Sequence, residues 1–172
     1  MGVNAMNYDC RPVRQNYGAQ LLCVALFACA GVSFVLGGVM EHAILYQVLG
    51  LCFVLPAIQL IARYMASRYL YRLHVQEDGT AQLEIFVWRG GARMQMAFCV
   101  GMAQITAITP LGKKNARPPK GCRRHNFAQD LRPQRATVLS LSVQEGACEV
   151  LLCPDEGLLR LLHEYTASPS QN

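Results

Sequence analysis

Eight cysteines, four histidines and a concentrated run of lysines and arginines are the groups through which this 172-residue chain could do chemistry. Thiolates and imidazoles hold metals when they cluster, typically around a Cys-x-x-Cys pair. No such pair occurs. Cys148 and Cys153 are five apart on a stretch that alternates like a strand, which sets them on opposite faces. His42, His74, His125 and His163 fall on separate elements, and no G-x-S-x-G, H-E-x-x-H or phosphate-binding glycine loop accompanies them. Gly90-Gly91 is too short to cradle a phosphate and reads as a hairpin turn. Asp155-Glu156 is a carboxylate pair placed where a helix begins, so it suits the helix dipole better than acid–base work. The inventory points to no catalytic group, no metal and no cofactor, and the protein is expected to be non-enzymatic.

The basic run is the stronger signal. Between Pro110 and Arg135 lie Lys113, Lys114, Arg117, Lys120, Arg123, Arg124, Arg132 and Arg135, opposed by Asp130 alone; the remaining residues carry eight positive and ten negative charges. Beside an anionic leaflet each such cation adds about 1 kcal/mol of attraction, falling off within a Debye length. Lys113, Lys114, Arg117, Lys120, Arg123 and Arg124 are therefore the candidate contacts for anionic lipid headgroups or an acidic protein partner. A solvated loop that keeps the chain soluble is the competing reading. Nucleic acid is disfavoured, because only Phe127 offers a stacking platform among these charges.

The elements that would position these groups follow from where charge is missing. Charged residues make up 16% of the chain, against roughly a quarter in soluble domains. Between Arg14 and Arg63 the only formal charge is Glu41. A soluble protein, a disordered chain and a small disulfide scaffold all fit this poorly. The runs at about 19–40 and 43–63 are each long enough to cross a hydrocarbon layer of ~30 Å as a helix. The link Glu41-His42 is so short that the two must be antiparallel neighbours. A cleaved signal peptide fits less well, since the first apolar run exceeds the usual length and no A-x-A site follows. Ser33 and Gly37 place small residues one turn apart for close helix approach, and Pro56 is expected to kink the second helix. Gln47 and Gln59 are the amides available for interhelical bonds and are expected to share a face, serving either the hairpin itself or a homo-oligomer. Arg11 and Arg14 precede the hairpin, Arg63, Arg68 and Arg72 follow it, and the turn has none. The positive-inside rule then places both termini in the cytoplasm of a multi-pass cytoplasmic-membrane protein. Cys23, Cys29 and Cys52 fall inside the helices and the other thiols face a reducing compartment, so disulfides are not expected.

From Tyr69 onward the pattern becomes alternation. Tyr71, Leu73 and Val75 are followed by a turn at Glu77-Asp78-Gly79; Leu83, Ile85 and Val87 by a turn at Arg89-Gly90-Gly91; Met94, Met96 and Phe98 form the next row. Further runs cover Met102–Ile108, His125–Asp130, Thr137–Val143 and Cys148–Leu152, with a turn at Glu145-Gly146. Pro154-Asp155-Glu156 then opens an amphipathic helix bearing Leu158, Leu161, Leu162 and Tyr165. The organisation expected is an N-terminal cytoplasmic segment (1–18), a transmembrane hairpin (19–63), a cytoplasmic domain (69–167) and a polar tail (168–172).

Seven meandering strands closed by a C-terminal helix is the element order of a pleckstrin-homology barrel. With a hairpin before it, and with Asn126-Phe127, Arg132-Pro133 and Leu152-Cys153-Pro154-Asp155 as its sequence texture, the chain resembles the bacterial PH-like membrane proteins. The resemblance implies a membrane α-hairpin plus an α+β/all-β cytoplasmic domain, a seven-stranded PH-like barrel capped by the C-terminal helix. It does not extend to inositol lipids: the loop Gln76-Glu77-Asp78-Gly79-Thr80 is acidic where lipid-binding relatives are basic, and the final helix lacks their tryptophan. The function it implies is a membrane-anchored interaction module, presenting the PH-like domain to a protein partner or anionic lipid. The alternative is a structural or accessory subunit of a larger membrane assembly, held through the hairpin; an enzyme of lipid or envelope substrates stands third.

Overall fold

The computed structural model describes residues 7–76, 79–89, 93–112, 117–133, 135–143 and 146–167. The turn residues Glu77-Asp78, Gly90-Gly91 and Glu145, the pair Lys113-Lys114 and the tail 168–172 lie outside them. Internal contacts divide the chain into a helical unit, Arg14–Ser67 with Asp130–Arg132, and a β unit, Met1–Val13, Arg68–Gln129 and Pro133–Asn172.

The helical unit is two antiparallel helices, α1 (Gly18–Val39) and α2 (Ala43–Leu60), the second prolonged by a π-helical turn, Ile61–Met65. At 1.5 Å per residue each run is about 33 Å long. The buried positions of α1 are Ala19, Cys23, Ala30, Ser33 and Gly37; those of α2 are Gly50 and Ala57. They recur at intervals of three, four and seven residues, the period of a straight seam between two helices. Every one is small. A Cβ added at Gly50 would stand 3.0 Å from the Phe34 ring, and one at Gly37 would stand 3.2 Å from the Ala43 carbonyl.

Among the described residues the β unit contains eight strands in two four-stranded sheets. Strands β1 (Asn7–Cys10), β2 (Ser67–Val75), β3 (Ala81–Arg89) and β4 (Gln95–Gly101) form one sheet in that order. The other sheet, in the order β5-β7-β8-β6, is built from β5 (Ile105–Pro110), β6 (Arg123–Asn126), β7 (Thr137–Val143) and β8 (Gly146–Leu152). One apolar core collects Tyr71, Leu73, Leu83 and Ile85 from the first sheet and Leu139, Leu141, Val150 and Leu152 from the second. Leu158 and Leu162 of the final helix, α3 (Glu156–Ala167), enter the same core. A smaller cluster, Ala128, Ala136, Val138, Leu151 and Cys153, lies apart from it, so β7 and β8 bury residues of both parities along part of their length. The fully buried Tyr71 hydroxyl donates to the Phe127 carbonyl (2.9 Å) and accepts from the Cys153 N–H (3.4 Å), tying β2 to the second sheet. Burial pushes that phenol's pKa up, which keeps the donor proton in place.

The expectation of a seven-stranded PH-like barrel is overturned: among the described residues neither sheet closes. Three features prevent it. The four-residue strand β1, which precedes the hairpin, takes the edge beside β2, with Asp9 opposite Arg72. A 3-10 turn at Met102–Gln104 separates β4 from β5, so these consecutive strands enter different sheets instead of continuing a meander. And β6 pairs parallel to β8, which no chain of hairpins can produce. The interaction-module function that rested on the barrel loses its basis with it.

Helix α3 starts as the Pro-Asp-Glu pattern predicts: the Asp155 carboxylate accepts the Leu158 N–H at 2.7 Å. The same carboxylate accepts the Tyr8 hydroxyl at 3.0 Å, and the Asp155 N–H donates to the Cys10 sulfur at 3.4 Å. The N-terminal strand is thus fastened to the start of the last helix. Burial pushes the Cys10 thiol up to about 11, so it remains neutral at physiological pH. Since Leu162 is fully buried and Leu161 only partly so, Leu162→Ala is expected to lower stability by about 2–5 kcal/mol. Leu161→Ala should cost roughly half of that or less. Denaturant titration of the full chain in detergent checks the order; equal losses would contradict the assignment of the α3 faces.

Candidate functional site: the membrane hairpin and its base

Large apolar side chains on α1 and α2 point outward. Leu21, Val24, Val35 and Val39 are between 67% and 79% exposed, and Ile44, Leu45 and Leu55 between 63% and 78%. Only 22% of the apolar window in α1 and 11% of that in α2 is buried. A core helix of a soluble protein would be mostly buried, because exposing a surface of this kind to water forfeits about 25 cal/mol per Å². The pair is consistent with a transmembrane hairpin: both runs are long and apolar enough to cross a membrane, and the apolar surface faces outward.

Of the four residues expected at helix–helix contacts, two lie in the seam. Gly37 packs against Ala43, Tyr46 and Gln47, and Ser33 is buried, with its hydroxyl donating to the Cys29 carbonyl at 2.9 Å within its own helix. Gln47 and Gln59 do not share a face. Twelve residues at 3.6 per turn leave them about 120° apart. Gln47 flanks the seam, its Cγ facing Gly37, while Gln59 stands nine positions beyond the buried Gly50, about two and a half turns, hence on the opposite side of α2. Both are exposed, and neither side chain hydrogen-bonds among the described residues.

The open end of the hairpin is held by polar contacts that sequence reasoning did not find. The Arg14 guanidinium donates to the Tyr64 carbonyl at 2.5 Å, linking the entry of α1 to the exit of α2. The nearly fully buried Asp130 accepts the Gln15 and Asn16 N–H groups at 2.8 and 3.4 Å, and the Asn16 side chain donates to the Arg132 carbonyl at 2.7 Å. Asn16 in turn accepts the Gly18 N–H, satisfying one orphan donor of the first helical turn. Three residues near the end of the basic run therefore belong to the hairpin base, with Arg14, Arg63 and Arg132 all in the helical unit. The only signal in the sequence was the lone Asp130 among eight cations, which marked an acceptor with a fixed task.

The six residues proposed as lipid or partner contacts do not behave as one patch. Lys113 and Lys114 lie outside the described residues; Arg117, Lys120 and Arg123 are exposed. Arg124 is committed elsewhere: it pairs with Glu149 at 2.6 Å, and the two side chains are only 12% and 9% exposed. They are direct partners in the parallel β6–β8 ladder. Removing one member of such a pair strands a buried charge. Arg124→Ala should therefore destabilise the chain by roughly 3–5 kcal/mol, while Lys120→Ala and Arg117→Ala should stay within about 0.5 kcal/mol. Thermal melts of the three variants check this; an Arg124→Ala chain as stable as the others would contradict the structural role.

No protein-family model, curated protein or solved structure matches the chain. The PH-like resemblance is thus left without support from either strand topology or sequence, and function must be argued from the hairpin.

Proposed function

We propose that this protein is a structural or accessory subunit of a larger membrane assembly, held in that assembly through its transmembrane hairpin. The observation that carries the reading is Gln59. The seam between α1 and α2 uses one narrow face of α2, and Gln59 projects from the opposite one, among Val48, Leu55 and Ile58. An amide turned toward hydrocarbon without a partner costs free energy, and a polar group on a neighbouring helix relieves that cost. Pro56 lies inside the same helix as Gln59 and has no N–H for the Cys52 carbonyl one turn back, so α2 carries a second polar group without its intrahelical partner.

Orientation follows from the base. Arg14, Arg63 and Arg132 gather in the helical unit with the two chain ends of the hairpin, while the opposite turn is Glu41-His42. By the positive-inside rule the base, the termini and the β unit lie on the cytoplasmic side.

The reading is tested on native membranes solubilised in mild detergent. The wild type is expected to migrate as a discrete species well above its 19.0 kDa plus detergent. Gln59→Leu should weaken that species, since one interhelical hydrogen bond is worth about 0.6–2 kcal/mol, or roughly threefold to thirtyfold in dissociation. A wild type that runs alone as a monomer contradicts the proposal.

A further inference from the structure

The last residues of β3, the first of β4 and the two that precede it carry an unusual surface. Trp88 is partly exposed, Arg89 and Arg93 are exposed, and Met94 and Met96 are 47% and 54% exposed. Leu83 and Ile85 point into the core and Val87 packs against it, so Phe86 and Trp88 occupy the other face of the sheet. A bulge between Ile85 and Phe86 brings Met96 directly opposite Phe86, and Gln95 opposite Val87. Met94, one residue further, falls on the Trp88 side. Phe86 is roofed by the Arg72 guanidinium, 5.4 Å from its ring centroid, which leaves Trp88, Met94 and Met96 as the open apolar part.

Chain connection decides which end of the sheet this is. β2 begins at Ser67, two residues after the π-helical turn ends at Met65, and the Ser67 hydroxyl closes on the Ala62 carbonyl at 2.9 Å. β2 runs away from that tether, the turn closed between Gln76 and Thr80 reverses the chain, and β3 returns beside it. Trp88 is therefore on the strand next to the tether, about 5 Å across, with Met94 and Met96 one strand further. The tether is itself the end of a membrane helix. A tryptophan ring partitions into the headgroup layer, the flexible thioethers beside it add adaptable apolar surface, and Arg68, Arg89 and Arg93 match the negative charge of the cytoplasmic leaflet.

We infer that Trp88, Met94 and Met96 form an interfacial anchor that inserts into the headgroup region of the bilayer already crossed by the hairpin. The anchor would restrain the β unit against the membrane through the β3–β4 strand ends. It does not depend on the assembly proposed above: it requires the bilayer and no second protein.

Trp88 is the only tryptophan in the chain, so its fluorescence reports this site without a label. The experiment uses the full-length protein reconstituted in vesicles of phosphatidylcholine and phosphatidylglycerol at three to one, with Trp88→Phe as the blank. The expected result is blue-shifted emission, loss of most of the signal when the lipids carry bromine near the headgroup, and little quenching by aqueous iodide. Strong iodide quenching without bromine quenching would put Trp88 in water and overturn the inference. Resistance to both quenchers would overturn it too, since the ring would then be covered by protein.

Discussion

Two helices in a lipid phase gain nothing from hiding apolar surface against each other, because lipid tails are equally apolar; what holds them is close packing. That constraint organises the helical unit. The facing positions are Ala19, Cys23, Ala30, Ser33 and Gly37 on one helix and Gly50 and Ala57 on the other, and the Phe34 ring fills the space that a side chain at Gly50 would need. Because the buried seam positions are all small, the large side chains of both helices turn outward. The exposed Leu, Val and Ile side chains leave an apolar outer surface that is consistent with a hydrocarbon layer around the pair.

The base of the hairpin is built from stretches far apart in the sequence. The loop after β6 sends Asp130–Arg132 to the helical unit, where a nearly buried carboxylate accepts two N–H groups just ahead of α1. This fixes the chain entering α1 from more than a hundred residues away, and the Asn16 side chain held there accepts the Gly18 N–H of the first helical turn. Part of a run that looks, in sequence, like a lipid-binding loop is spent on architecture: Arg132 on the base and Arg124 on Glu149. Charge density in a sequence counts cations; it does not say how many have already been neutralised by the fold.

What could be read in advance divides along the same line. Local periodicity located the apolar helices, the alternating strands and the Asp155 cap, since each depends on residues within a few positions of one another. Pairing was not legible. β1 is four residues of mixed polarity whose partner lies more than fifty residues on, and its attachment depends on Tyr8 and Cys10 meeting Asp155, at the far end of the chain. The parallel β6–β8 pair and the 3-10 turn that parts β4 from β5 are likewise non-local decisions, and they replace the expected barrel by two open sheets. In the hairpin, helical geometry separates Gln47 from Gln59, so that Gln47 flanks the seam and Gln59 lies on the opposite side of α2.

The central claim is that the hairpin crosses the bilayer from the cytoplasmic side and returns. It is tested most directly by single reporter cysteines at Glu41, in the turn between α1 and α2, and at Glu164, on the exposed side of α3. Intact cells are treated with a membrane-impermeant thiol reagent. The account expects Glu41→Cys to be labelled from outside and Glu164→Cys to be labelled only after the membrane is opened. Labelling of both only after opening would mean that the two helices do not span the membrane, and would contradict the account.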